Sequence, residues 1–94
     1  MAVLSDDDVR EALAALPGWE LADGRIAKEY VLGDFRDAVA LVVRLAFEAE
    51  AADHHPDVDI RYNRVRLALS THSEGGITGK DVELARVVES LAAR

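Results

Sequence analysis

Val58-Asp59-Ile60-Arg61-Tyr62-Asn63-Arg64-Val65-Arg66-Leu67-Ala68-Leu69 is the stretch that decides the fold. Val58, Ile60 and Tyr62 alternate with Asp59 and Arg61, and beyond Asn63-Arg64 the set Val65, Leu67 and Leu69 alternates with Arg66 and Ala68. Strand side chains point to opposite faces in turn, so this period of two predicts a hairpin with one buried face and one charged face, Tyr62 packing on the sheet. Upstream, the segment from Asp34 to about Ala52 holds no Gly or Pro, and Phe35, Val39, Val42, Val43, Ala46 and Phe47 recur on one side of a 3.6-residue period. That is a long central helix, stopped where His55 precedes Pro56, because the residue before proline is pushed out of the helical region. Further back, Trp19-Glu20-Leu21-Ala22 and Arg25-Ile26-Ala27-Lys28-Glu29-Tyr30-Val31 flank Asp23-Gly24, the signature of a first hairpin. Ser5 ahead of an acidic turn predicts a first helix over about 6–16, ended by Pro17-Gly18. Thr78, with Asp81 three residues on, caps a last helix over about 79–93 that buries Val82, Ala85, Val88 and Leu91 or Ala92. The order helix, hairpin, helix, hairpin, helix predicts an α+β domain spanning residues 1–94, a four-stranded antiparallel sheet with helices packed on one face.

Composition narrows the function. The chain has 94 residues, enough for one core. Its 11 basic and 18 acidic residues give a net charge of -7, which repels phosphate backbones and anionic lipid alike, so neither nucleic acid nor membrane is an expected partner. No cysteine is present, which removes disulfides, thiolate chemistry and Cys-type zinc sites and fits a cytoplasmic location. Neither a signal-peptide pattern nor a membrane span is read: the most apolar later stretch, Ala38 to Phe47, is broken by Arg44.

All three histidines fall in two short segments, Glu50-Ala51-Ala52-Asp53-His54-His55-Pro56 and Thr71-His72-Ser73-Glu74. Imidazole gives and takes protons near neutral pH, so their pooling at ends of neighbouring elements points to an acid/base site in one cleft. Glu50, four residues before His54, would orient that imidazole if the helix persists. The same pair with His72 is the one arrangement open to a metal, but it lacks a His-Glu-x-x-His pattern, and no metal or other cofactor is expected. Asp81 reads as a cap residue rather than a chemical one, and Trp19 fits either core or ligand platform. Gly75-Gly76-Ile77-Thr78-Gly79 lacks the ending of a phosphate loop and reads as a turn. Ser70 and Ser73 flank His72 too closely for a serine-base pair.

Taken together, Glu50, His54-His55-Pro56, Tyr62, His72 and Asp81, with Trp19 after Pro17-Gly18, Tyr62-Asn63-Arg64-Val65 and Gly75-Gly76-Ile77-Thr78, resemble the pterin-4a-carbinolamine dehydratases over most of the chain. The resemblance implies a hydro-lyase that converts 4a-hydroxytetrahydropterin (4a-hydroxytetrahydrobiopterin) to quinonoid dihydropterin and water, in tetrahydrobiopterin recycling beside an aromatic amino acid hydroxylase. It implies His54, His55 and His72 as the catalytic and pterin-contacting set, with Glu50 as a supporting carboxylate. Asp53, Pro56, Thr71, Ser73, Glu74 and Trp19 join Glu50 as substrate-binding residues. His54 and His72 are taken as the acid/base pair, in either order, and His55 chiefly as a binding residue.

There are departures: Ile26 and Tyr30 stand at strand positions commonly aromatic in relatives, and Asp53 where asparagine is frequent. Small relatives assemble and a four-stranded sheet leaves edges, so a homodimer or homotetramer is expected, with Val87 or Leu84 as contacts if helices carry the interface. Two other readings compete: a non-catalytic dimerising or regulatory module on the same scaffold, and a dehydratase for another pterin, as in molybdopterin metabolism. A scaffold that had abandoned catalysis should have lost a histidine, and none is lost.

Overall fold

A computed structural model describes residues 2–93. Met1 and Arg94, the ends of the domain expected over 1–94, lie outside the described residues. Asp6–Leu13 forms α1, Glu20–Ala22 β1, Arg25–Val31 β2, Phe35–Ala52 α2, Asp57–Arg61 β3, Arg64–Leu69 β4 and Gly79–Ala92 α3, with a short 3-10 turn at His72–Glu74. Each helix begins on a side-chain cap: Ser5 accepts from the Asp8 amide, Asp34 from the Asp37 amide, and Thr78 with Asp81 forms a reciprocal capping box. α1 is shorter than expected. After Leu13 the chain tightens, Leu16 N donating to Leu13 O, before Pro17 takes it away.

The strands make one antiparallel sheet in the order β1-β2-β4-β3, with β2 and β4 central. Asp23 and Gly24 both take positive φ, as the tight turn between β1 and β2 demands. The registers Ile26↔Leu69, Lys28↔Leu67 and Tyr30↔Val65 line up the face that the helices cover. Ile26, Tyr30, Val65, Leu67 and Leu69 are buried there with Val82, Ala85, Val88 and Leu91 of α3. The opposite face carries Glu29, Arg64, Arg66 and Asp59, with Arg64 paired to Glu29.

Two expectations are corrected. Tyr62 is not a sheet-packing residue: it occupies the β3–β4 turn at φ +52 and is 68% exposed. Its neighbour Asn63 is what the turn invests in, donating through Nδ2 to Leu32 O while its own carbonyl accepts from Leu32 N, so the two hairpins are clasped at this end. On α2 the apolar side read from sequence packs only at its margin, where Val42 lies partly buried against the core. Ala38, Leu41, Leu45 and Ala49 face the core, whereas Phe35, Val43 and Phe47 are 54%, 50% and 75% exposed. The helix carries two apolar stripes, and the one with Leu41 and Leu45 at its centre is the one that faces the core.

Candidate active site

The site is built where α2 gives way to β3. Asp53 takes the left-handed conformation (φ +50) that ends the helix, a geometry that asparagine and aspartate tolerate better than most residues. The reversal draws His54 back under the helix end, its amide donating to Ala49 O, and extended residues from Pro56 onward lead into β3. His54 and His55 consequently diverge: His54 turns inward and is buried, His55 outward.

His54 Nε2 lies 2.5 Å from Asp81 Oδ1, and Asp81 is fully buried in the first turn of α3. A carboxylate taken wholly out of water survives as an ion only if hydrogen bonds replace its hydration. Oδ2 accepts from Thr71 Oγ1 at 2.8 Å and from the Thr78 amide at 2.9 Å. Because the single Thr71 proton goes to Asp81, Thr78 Oγ1 donates to Thr71 Oγ1, and accepts in turn from the Lys80 amide. Every neighbour of Asp81 thus donates, which assigns the Nε2 proton to His54 and leaves Nδ1 as the ring's free nitrogen. No buried side-chain polar atom among the described residues lacks a partner, and Nδ1 makes no hydrogen bond, so it opens to the adjoining cavity space.

A polar cleft of about 480 Å³ is lined by Asp53, His54, His55, Pro56, Asp57, Ser70, Thr71, His72, Ser73 and Lys80. The two histidine segments therefore meet in one place. His55 Nε2 lies 2.5 Å from Glu50 Oε1, a largely exposed pair. His72, at the head of the 3-10 turn, is exposed on the cleft wall, and its ring has no hydrogen-bond partner among the described residues.

Three placements differ from the sequence reading. Glu50 orients His55 rather than His54, because the left-handed turn at Asp53 abolishes the i,i+4 relation that would have joined it to His54. Glu74 lies on the exposed side of its turn and does not line the cleft. Trp19 is buried against the helix-covered face of the sheet, its Nε1 donating to Glu89 of α3, and does not reach the cleft either. Asp81, read as a cap, caps and also holds His54. Lys80, Asp57 and Ser70 were missed; each is a neighbour of a recognised residue, and only the folded placement distinguishes them. Among the described residues no three His, Asp or Glu side chains stand together as a metal-holding group.

The family model for pterin 4 alpha carbinolamine dehydratase matches residues 2–91. The chain belongs to that family. A relative from Mycolicibacterium vanbaalenii, provisionally named pterin-4-alpha-carbinolamine dehydratase, is 52% identical over 91 residues, covering 97% of this chain and 98% of its own. The crystal structure of a transcriptional coactivator/pterin dehydratase from Brucella melitensis superposes with a TM-score of 0.92 at 38% identity, over 96% of this chain and 98% of that one. A pterin dehydratase-like protein identified as a RuBisCO assembly factor in the alpha-carboxysome shares the fold at a TM-score of 0.65 and 20% identity, over 79% of this chain and 86% of that one. No helix among the described residues is long and apolar enough to cross a membrane.

Proposed function

We propose that the chain dehydrates a 4a-hydroxytetrahydropterin, releasing water and quinonoid dihydropterin, with His54 as the base and His72 as the acid. The observation that supports this is the buried His54–Asp81 pair on the wall of a cleft that the unpartnered His72 also lines. The reaction removes the hydrogen on N5, forms the N5–C4a double bond and breaks the C4a–O bond, so one group must take a proton while another gives one. His54 Nδ1 takes the N5 proton, and the imidazolium so formed faces the Asp81 carboxylate, which offsets its charge. His72, whose ring is not committed elsewhere, protonates the departing hydroxyl. Solvent then resets both rings. His55, steadied by Glu50, contacts the ring system at the cleft mouth as a binding residue.

The test is dehydration of enzymatically generated 4a-hydroxytetrahydropterin with the uncatalysed rate subtracted. His54→Ala and His72→Ala should each lower the rate about a hundredfold to ten-thousandfold, and a chelator should leave it unchanged. Wild-type rate above background in the double variant would overturn the assignment and favour a non-catalytic module. The proposal extends to recycling of tetrahydrobiopterin beside an aromatic amino acid hydroxylase in the cytoplasm, with dehydration of another pterin the alternative.

The proposal also includes a homodimer or homotetramer. Leu84, expected at the interface, is buried in the monomer, and the exposed apolar side chains among the described residues include Phe35, Val43 and Phe47 on α2, Val31 on β2 and Val58 on β3. β1 and β3 are the open sheet edges. A single 10.2 kDa species in sedimentation equilibrium at micromolar concentration would contradict assembly.

A further inference from the structure

The open face of the sheet, opposite the helices, holds a hollow of about 230 Å³ lined by Glu29 of β2, Asp59 and Arg61 of β3, and Arg64 and Arg66 of β4. It shares no residue with the polar cleft, so nothing about it depends on the dehydratase reading. Arg66 stands in register between Glu29 on one neighbouring strand and Asp59 on the other, the partners that a cross-strand arginine takes. Neither carboxylate turns to it. Glu29 accepts from Arg64 Nη1 at 3.3 Å and Asp59 from Arg61 Nε at 3.2 Å. The Arg66 guanidinium makes no hydrogen bond or ion pair among the described residues. Arg61 and Arg64, moreover, stand directly opposite each other in the β3–β4 pair, where like charges are destabilising. The other end of the same face is neutralised, Arg25 reaching Asp57 at 3.1 Å.

We infer that the hollow docks a protein partner through a carboxylate side chain flanked by apolar residues. Three guanidiniums against two carboxylates leave one positive charge here, in a chain of net charge -7, so a single carboxylate completes the site. Donors for it are at hand. A guanidinium carries several N–H groups in a fork that matches two carboxylate oxygens, and Arg61 and Arg64 each commit one nitrogen to their present partners. A negative charge placed among them also relieves the opposition of Arg61 and Arg64. Beside the hollow, Val31, in register with Arg64, and Tyr62, next in the chain to Arg61, are 57% and 68% exposed. A small free anion would leave both in water, whereas an acidic residue with hydrocarbon on either side covers them, and tyrosine and arginine are the residues on which interface energy concentrates. A phosphodiester backbone or an anionic membrane would bring many charges against Glu29, Asp59 and an acidic chain, with one surplus positive charge to hold them.

The probe is an acetylated leucine-glutamate-leucine amide, titrated into the isotope-labelled full chain and followed by NMR beside its glutamine counterpart, inorganic phosphate and a short single-stranded DNA. The glutamate peptide should shift the Nε–Hε signals of Arg64 and Arg66 and the amide of Val31 saturably. The glutamine peptide should bind about tenfold more weakly, as should the glutamate peptide to Arg66→Gln. Equal binding of the two peptides to wild type, a comparison that needs no variant to fold, overturns the site, as does the absence of a saturable shift in these signals. Tighter binding of phosphate or DNA than of the glutamate peptide overturns the protein partner. Shifts that follow protein concentration alone give the hollow to a second copy of the chain and overturn it likewise.

Discussion

Two carboxylates on α3 each gather three donors, and they do so differently. Asp81, at the helix start, accepts from His54, Thr71 and the Thr78 amide in a fully buried setting. Glu89, two turns on, accepts through Oε1 from Trp19 Nε1 at 3.1 Å, from Tyr30 OH at 3.0 Å and from Lys28 Nζ, which also lies 4.6 Å from the Tyr30 ring centroid. The contrast lies in the cation. Lys28 neutralises Glu89 permanently, so that cluster is a pin joining α3 to β2. Asp81 has no fixed cation beside it, only a histidine that becomes one when it binds a proton. The arrangement that would be a liability in a purely structural network suits the proposed reaction, in which charge appears on His54 and disappears again.

The sharpest way to break this comparison is to neutralise each carboxylate in turn. Asp81→Asn keeps an oxygen for Thr71 and the Thr78 amide but turns an NH2 on His54 Nε2, so the ring must either meet an N–H with its own or move its proton to Nδ1, the nitrogen the proposed base needs free. It should lower kcat/KM about a hundredfold or more and alter the shape of its pH profile, the part of the effect that mere loss of a cap would not produce. Glu89→Gln should instead lower unfolding free energy by about 2 kcal/mol in urea titration, with kcat/KM staying near wild type. If the two variants show the same mixture of lost activity and lost stability, the division between chemistry and pinning fails.

Smaller effects sharpen it. Burial, then the hydrogen bond to Glu89 and its charge, hold the Tyr30 phenol well above the usual tyrosine range. The folded chain thus keeps a proton that the unfolded chain, with a tyrosine pKa of about 10, gives up. This contribution is fully present below about pH 10 and declines as pH rises above it. Tyr30→Phe should cost about 1 kcal/mol at neutral pH and flatten that alkaline decline, read from denaturation midpoints between about pH 9 and 11. Last, His55→Ala should raise KM by more than it lowers kcat, since lost uniform binding appears there first; a fall confined to kcat would move His55 into the proton-transfer set.

The two clusters also differ in how far they could be read from the chain. The elements, their order and the antiparallel sheet were legible because capping residues, the Asp23-Gly24 turn and the alternation over 58–69 are local signals. The histidine segments were legible for the same reason, each being contiguous. What was not legible depended on one backbone angle or on long-range company. The positive φ at Asp53 redirected Glu50 from His54 to His55. The second apolar stripe on α2 matched the helical period as well as the packed one did, and periodicity alone cannot rank two such faces. Lys28 stands between Ile26 and Tyr30 on the same covered face of β2, a position that a carboxylate on α3 makes habitable. Glu89 gives no sequence sign of that role.

The loop that presents His72 is closed by backbone bonds as well as by Thr71. Thr71 N donates to Gly76 O, and one residue beyond that bridge Leu4 N donates to Ile77 O, while Val3 packs where a Cβ on Gly76 would sit. Opening of the loop therefore has an intrinsic reporter far away in the sequence. Deuterium uptake at the Leu4 amide, followed with and without a bound pterin, would measure how often the His72 turn lifts from the domain, in a probe that needs no attached dye and no substitution.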